Sequence, residues 1–96
     1  MEKNVNIAVQ VLPVAENKNA YAIVDKAIAV IHNSGVKYQV TPFETVMEGS
    51  YDDLMTVVKE VQQACYDAGA SQVMCYVKIQ SKKGEDVTIE DKMEKY

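Results

Sequence analysis

Two kinds of apolar spacing alternate along this chain, and their order is the feature that most constrains its fold. Segments in which apolar residues occupy every second position are typical of strands with one buried face. Segments in which they recur three and four residues apart are typical of helices with one apolar stripe. In this sequence the segments follow the order β-α-β-β-α-β, and a short terminal helix comes after them.

The four predicted strands differ in how clearly the sequence marks them. Residues 5–11 alternate β-branched and other side chains, and Pro13 is expected to end that strand because proline cannot donate to a strand ladder. The short strands 36–41 and 43–48 lie so close together that we expect a hairpin. Residues 73–79 alternate again and are predicted to form the fourth strand.

Capping residues and glycines mark the three predicted helices. The helix 20–33 follows two asparagines that are good N-caps, and Gly35 suits the left-handed position after its end. Ser50 is predicted to cap the second helix, whose apolar stripe over 54–68 is the strongest helical pattern in the chain. A threonine is expected to cap the last short helix, 89–96.

This order of elements is that of the ferredoxin-like split β-α-β fold, an α+β architecture. It predicts a four-stranded antiparallel sheet with two helices on one face, plus a short C-terminal helix. The chain has 96 residues, which fits one domain over residues 1–96 because domains commonly have about 100–150 residues. The valine-rich sides of the first and last strands should then face the two helices, and the opposite face of the sheet, here called the open face, should be uncovered.

The charged residues exclude some classes of partner. All ten basic residues are lysines, and fourteen acidic residues give a net charge of −4. Proteins that grip nucleic-acid phosphates usually carry a basic, arginine-rich face, so no nucleic-acid partner is expected. The lack of arginine also removes bidentate clamps on phosphate or carboxylate.

The sequence shows neither targeting signals nor catalytic motifs. It begins without a secretory signal and has no apolar run near about 18 residues, so we expect a cytoplasmic protein with no membrane partner. Cys65 and Cys75 lack a metal-ligand spacing and are expected to be reduced apolar fillers. His32 stands alone, without a nucleophile motif or a phosphate loop, so we expect no enzyme, no metal and no cofactor.

The predicted open face mixes amides, one tyrosine and small apolar groups. Its predicted members are Asn6, Ala8, Gln10, Lys37, Gln39, Thr41, Met74, Tyr76, Lys78 and Gln80. Such a face suits a subunit contact, a small polar ligand or plain contact with solvent. Self-association is favoured because Leu12, Met74 and Tyr76 would gain by being covered.

The segment 45–50 is the most distinctive polar element. It ends a strand with Glu48 and turns through Gly49 into a helix N-terminus. A carboxylate here can accept hydrogen bonds from an amine or a protonated ring nitrogen of a ligand. Glu48 can equally serve the dipole of the following helix, and Thr45 can be there only as a strand former.

Five stretches together resemble the small thiamine-binding protein family. They are 7–13, 34–42, the Thr-Val-x-Glu-Gly signature within 44–49, 77–79, and the closing Thr-x-Glu-x-Lys helix at 88–92. The resemblance implies a non-enzymatic protein that binds thiamine or its hydroxymethylpyrimidine moiety. It also implies a homodimer or homotetramer assembled through the sheets.

The resemblance suggests which side chains contact such a ligand. An aminopyrimidine needs a carboxylate and amide or hydroxyl partners, which Glu48, Thr45 and Gln10 can supply, and Gln39 belongs to the same candidate set. Tyr76 can stack on the ring. An alternative without any ligand is also open, namely an oligomeric interaction or regulatory module with the ferredoxin-like fold.

One departure from the family pattern concerns phosphate. Members often have arginines just after the last strand, whereas this chain has Lys82 and Lys83 there. A diphosphate contact is therefore less expected than binding of unphosphorylated thiamine or of the pyrimidine alone.

Overall fold

The computed structural model describes residues 2–16 and 19–96 and contains the predicted elements in the predicted order. They are β1 (Val5–Val14), α1 (Ala20–Asn33), β2 (Lys37–Val40), β3 (Thr45–Gly49), α2 (Tyr51–Asp67), β4 (Gln72–Gln80) and α3 (Ile89–Met93). The four strands form one antiparallel sheet in the order β2-β3-β1-β4. The predicted α+β ferredoxin-like class and the β2–β3 hairpin are therefore confirmed.

The central strand β1 is longer than its neighbour β3, and this difference leaves a concavity beside the end of β1. Its pairing with β3 runs from Val5↔Gly49 to Val9↔Thr45. Its pairing with β4 continues to Val14↔Gln72. Beyond Val9, β4 is therefore the one strand among the described residues that pairs with β1, and the opposite edge of β1 has no strand beside it.

The prediction that Pro13 ends the first strand is wrong, because β1 continues to Val14 with Pro13 opposite Val73. Proline is tolerated in strands that lack a neighbour on one side, since its missing N–H then costs no ladder bond. β3 also differs from the prediction, because it begins at Thr45 and the two residues before it belong to a turn.

The helix ends follow the sequence signals closely. The side chains of Asn19, Ser50 and Thr88 accept hydrogen bonds from the first turns of α1, α2 and α3. Asn17, the other asparagine considered as a cap, lies outside the described residues. Gly35 has a φ of 81°, the left-handed conformation expected just after α1. The last helix is shorter than predicted and ends at Met93.

The core lies between the sheet and the two long helices, as the apolar spacing predicted. The helix-facing residues of the strands and the apolar stripes of α1 and α2 form one buried cluster: Val5, Ile7, Val9, Ile23, Ala27, Ile31, Met47, Leu54, Val57, Val58, Val61, Cys65 and Ala70. Val73, Cys75 and Val77 of β4 pack against this cluster from the sheet side. Each fully buried aliphatic side chain of this kind contributes about 1.5–3 kcal/mol.

The open face is not wholly uncovered, which corrects the sequence prediction at one end of the sheet. The segment that leads into α3 lies over Asn6, whose side chain is 3% exposed and whose Nδ2 donates to the Val87 carbonyl at 3.0 Å. Val87 and Ile89 are buried as well. Leu12, Met74 and Tyr76 remain exposed at the other end, as expected.

No helix in the described ranges 2–16 and 19–96 has both the length and the apolar character needed to cross a membrane.

Candidate functional site

We take as the candidate site the concavity beside the edge of β1 that β3 does not pair, and we call it the α1 cleft. One wall is α1, the floor is β1 beyond Val9, and the far wall is the turn between β2 and β3. The cavity has a volume of about 220 Å³. Ligand pockets for drug-sized molecules usually measure about 300–1,000 Å³, so this cleft suits a ligand of one or two small rings.

Aliphatic side chains line most of the cleft, and aromatic residues stand at its rim. Val24, Ala27 and Ile28 contribute from α1. Tyr21 and Phe43 border the cavity and are 83% and 79% exposed. Two large aromatic side chains left in solvent beside a concavity are unusual unless they are covered on binding, so they mark this cleft as a candidate ligand site.

The turn that carries Phe43 is held firmly by one side chain. The Thr41 hydroxyl donates to the Glu44 carbonyl at 2.6 Å and accepts from the Glu44 amide at 3.1 Å. The Thr41 amide also donates to the Glu44 carbonyl at 2.9 Å. Pro42 fixes one backbone angle of this turn. Phe43 is therefore presented to the cleft from a rigid support.

The structure does not gather the five predicted ligand residues into one place. Strand parity puts Gln10, Gln39, Glu48 and Tyr76 on the open face, where Gln10 is directly opposite Tyr76. Thr45 is three residues from Glu48 in the same strand, so it points to the other face, where it is 5% exposed. Thr45 and Gln10 both border the α1 cleft, whereas Glu48, Gln39 and Tyr76 do not.

Glu48 already has partners within the chain. Its Oε1 accepts from the Ile89 amide at 2.7 Å, and its Oε2 lies 4.0 Å from Lys37 Nζ. The helix that this carboxylate serves is α3, not the following helix α2 that the sequence suggested. A ligand amine at Glu48 would share a carboxylate that already anchors the C-terminal segment.

Sequence reasoning missed Tyr21 and Phe43. Both carried a usable signal, because each stands at the boundary of an element: Phe43 after a proline, and Tyr21 in the first turn of α1. Element boundaries at one end of a sheet often line ligand sites. The extension of β1 beyond the end of β3 depends on which strands pair in the tertiary structure. No local pattern in the sequence indicates it.

The two cysteines show no sign of reactivity. Both are free, Cys65 is buried and Cys75 is half-buried. Desolvation raises the pKa of both thiols, and the neighbouring Cys75 raises the pKa of Cys65 further. Thiols that stay protonated are poor nucleophiles and poor metal ligands. Within residues 2–16 and 19–96, no group of three His, Cys, Asp or Glu side chains is placed to hold a metal ion.

The chain is a ferredoxin-like α+β domain with an apolar cleft and an aromatic rim, and comparisons with known proteins identify its family. Residues 7–96 match the family described as thiamine-binding protein. The chain is 46% identical over 91 residues to a UPF0045 protein of Clostridium perfringens, covering 95% of each. This chain therefore belongs to the thiamine-binding protein family.

Solved structures show the same fold. A domain of unknown function from Bacillus cereus is similar with a TM-score of 0.95 and 46% identity, over 98% of this chain and 90% of that one. A Thermotoga maritima protein described as a "putative thiamine biosynthesis/salvage protein" has a TM-score of 0.87 and 32% identity, over 97% of this chain and 98% of that one.

Proposed function

We propose that this protein binds thiamine or its hydroxymethylpyrimidine moiety in the α1 cleft and carries out no reaction on it. The observation that carries the proposal is the free edge of β1 beside an apolar cavity. Beyond Val9, β3 no longer pairs with β1. Alternate residues of β1 there direct their backbone N–H and C=O groups into the space beside the strand, where a ligand could accept or donate hydrogen bonds. The family description supports the choice of ligand.

An aminopyrimidine matches this edge chemically. Its exocyclic amine and ring nitrogens place donors and acceptors side by side, as a neighbouring strand does. The Thr45 hydroxyl at the base of the cleft can add a further hydrogen bond. The apolar side chains of α1 then cover one face of the ring, which adds roughly 25 cal/mol for each Å² of apolar surface buried.

The rim suits the positively charged thiazolium ring of thiamine. Tyr21 and Phe43 offer aromatic faces, and an organic cation over such a face gains about 0.5–2 kcal/mol. Glu44 also borders the cleft, and the chain has a net charge of −4. Lys82 and Lys83 border a different cavity, so the cleft favours the unphosphorylated ligand over the diphosphate.

Calorimetric titration with thiamine, hydroxymethylpyrimidine and thiamine diphosphate tests the proposal. We expect saturable binding of the first two, and no gain in affinity from the diphosphate. Phe43→Ala should weaken thiamine binding more than hydroxymethylpyrimidine binding, while Tyr66→Ala, which removes an exposed tyrosine outside the cleft, should change neither. No heat and no rise of Tm at millimolar thiamine would rule the proposal out.

We further propose that the working unit is a homodimer or homotetramer formed through the sheet. Leu12, Met74 and Tyr76 form an apolar patch on the open face, with exposed fractions of 42%, 47% and 51%. An apolar patch of this kind on a sheet is typical of a subunit contact. Localisation in the cytoplasm stays a prediction from the sequence.

A further inference from the structure

The feature that the proposed function leaves unexplained is a buried, unpartnered oxygen on the open face. Asn6 is 3% exposed, and its Nδ2 donates to the Val87 carbonyl at 3.0 Å. Its Oδ1 is buried and has no hydrogen-bond partner among the described residues. An unsatisfied buried acceptor costs about 1–3 kcal/mol, so a donor is missing at this point.

The orientation of this side chain is fixed by its partner. Reversing the amide would put the oxygen against the Val87 carbonyl oxygen and lose the one hydrogen bond that the side chain makes. The oxygen is therefore the atom without a partner in the one assignment that keeps the bond to Val87. Only a hydrogen-bond donor can satisfy it.

Asn6 borders a second cavity of about 270 Å³, which lies on the other side of the sheet and shares Glu44 with the α1 cleft. Ala8 and Val46 form its apolar floor. Lys78, Glu44 and Lys92 supply its charges, and Lys78 Nζ lies 2.7 Å from Glu44 Oε1.

The charges around this cavity have both signs. Desolvation, and to a smaller extent repulsion from the neighbouring Lys82, lower the pKa of Lys92. Lys92 has no salt-bridge partner within residues 2–16 and 19–96. An anionic group beside Lys92 would relieve this repulsion, while a donor beside Asn6 would satisfy its oxygen.

We propose that this cavity is a second ligand site, for a small zwitterion that carries an ammonium and a carboxylate, as amino acids do. The ammonium donates to Asn6 Oδ1, with the Glu44 carboxylate nearby, and the carboxylate faces Lys92. A simple anion leaves the Asn6 oxygen unpaired, and a simple amine leaves Lys92 without a counter-charge. Glu44 is the one lining residue that this site shares with the α1 cleft, and neither Asn6 nor Lys92 borders that cleft, so the zwitterion proposal can be tested apart from thiamine binding.

The test is an NMR titration of ¹⁵N-labelled protein with glycine and β-alanine, observing the Asn6 side-chain amide and the amides of α3. Methylamine and acetate serve as half-ligands. We expect saturable shifts with at least one zwitterion and affinity lower by about tenfold or more for each half-ligand, as the loss of one charged hydrogen bond implies. Lys92→Met should weaken zwitterion binding by about tenfold, and Lys95→Met, a nearby lysine that does not border the cavity, should leave it unchanged.

Three results would overturn the proposal. They are the absence of saturable shifts at tens of millimolar zwitterion, equal binding by wild type and Lys92→Met, or equal binding of acetate and glycine. Asn6→Leu removes the acceptor and should weaken zwitterion binding by about tenfold or more. If that variant fails to fold, Asn6→Ser, which keeps a small hydroxyl acceptor, should still bind more weakly than wild type. Thiamine titrated into the same samples should shift the amides of α1 and leave the Asn6 side-chain amide and α3 unchanged, which separates failure of this site from failure of the cleft.

Discussion

The Glu48 carboxylate accepts a hydrogen bond from the Ile89 amide at 2.7 Å, and this contact ties β3 to a helix 41 residues further along the chain. Ile89 is the first residue of α3, where the backbone N–H groups lack partners within the helix. A negative charge at this end is also favoured by the helix dipole. Together with the Asn6–Val87 bond, it holds the C-terminal segment on the open face.

Removal of this acceptor should loosen α3. We expect Glu48→Ala to lower the free energy of unfolding by about 1.5–3 kcal/mol, the range for a hydrogen bond to a charged group. Glu48→Gln should cost less, because its amide oxygen can still accept. Urea denaturation measures the first effect, and hydrogen exchange at the Ile89 amide locates it. Glu60→Ala, an exposed acid on α2, is the control, and unchanged exchange at Ile89 in Glu48→Ala would contradict the role.

The same residue separates two models of ligand binding. The sequence predicted Glu48 as a ligand contact, whereas the α1 cleft is bordered by Thr45 on the other face of the strand. We expect Thr45→Val, which removes only the hydroxyl, to weaken thiamine binding by about 3- to 10-fold, the value of one neutral hydrogen bond. Calorimetry should show no such loss for Glu48→Gln. A larger loss of thiamine affinity in Glu48→Gln than in Thr45→Val would instead indicate that the ligand binds on the open face.

Self-association should depend on the exposed end of the open face. Tyr76→Lys puts a charge into the centre of the apolar patch without touching the core, so we expect it to shift the protein toward monomers. Sedimentation velocity at several concentrations gives the measurement. Tyr66→Lys on α2 is the matched control, because Tyr66 is also about half exposed. Wild type that stays monomeric at high concentration would refute the proposed assembly.

The core should respond to truncation far more than an exposed site outside the proposed subunit contact does. Leu54 is fully buried between α2 and the sheet, and Leu54→Ala should destabilise the protein by about 2–5 kcal/mol through lost burial and a cavity. Tyr96→Ala, which removes an aromatic side chain that is 92% exposed, should cost less than about 0.5 kcal/mol. Thermal unfolding of both variants gives the comparison, and similar losses would contradict the assignment of Leu54 to the core.

The thiols should react slowly and with a shifted pH dependence. Desolvation raises the pKa of Cys65 and of Cys75 above the ordinary value of 9.0, so the thiolate fraction in the folded protein is low at pH 8. Alkylation followed by mass spectrometry should be slower than in urea, and slowest at Cys65. Because the folded state favours the protonated thiols, their contribution to stability is present below about pH 9 and is lost as the pH rises further. Equal rates in folded and unfolded protein would contradict this.

Local patterns in the sequence determined most of the fold. The apolar stripe of α2, the alternation in β1 and β4, and the caps Ser50 and Thr88 depend on neighbours within a few residues, so they could be predicted without a structure. Parity within β3 also places Thr45 and Glu48 on opposite faces. What the sequence left undecided were the contacts between distant segments.

Tertiary structure alone decided where the proposed ligand cleft lies. The α1 cleft exists because β1 continues to Val14, whereas its pairing with β3 ends at the Val9–Thr45 pair. Strand pairing of this kind depends on residues more than thirty positions apart in the sequence. The packing of α3 onto the open face likewise buried Asn6 and engaged Glu48, two polar residues that the sequence had placed on an uncovered surface. Periodicity fixes which face a side chain occupies, but only the packed chain determines what covers that face.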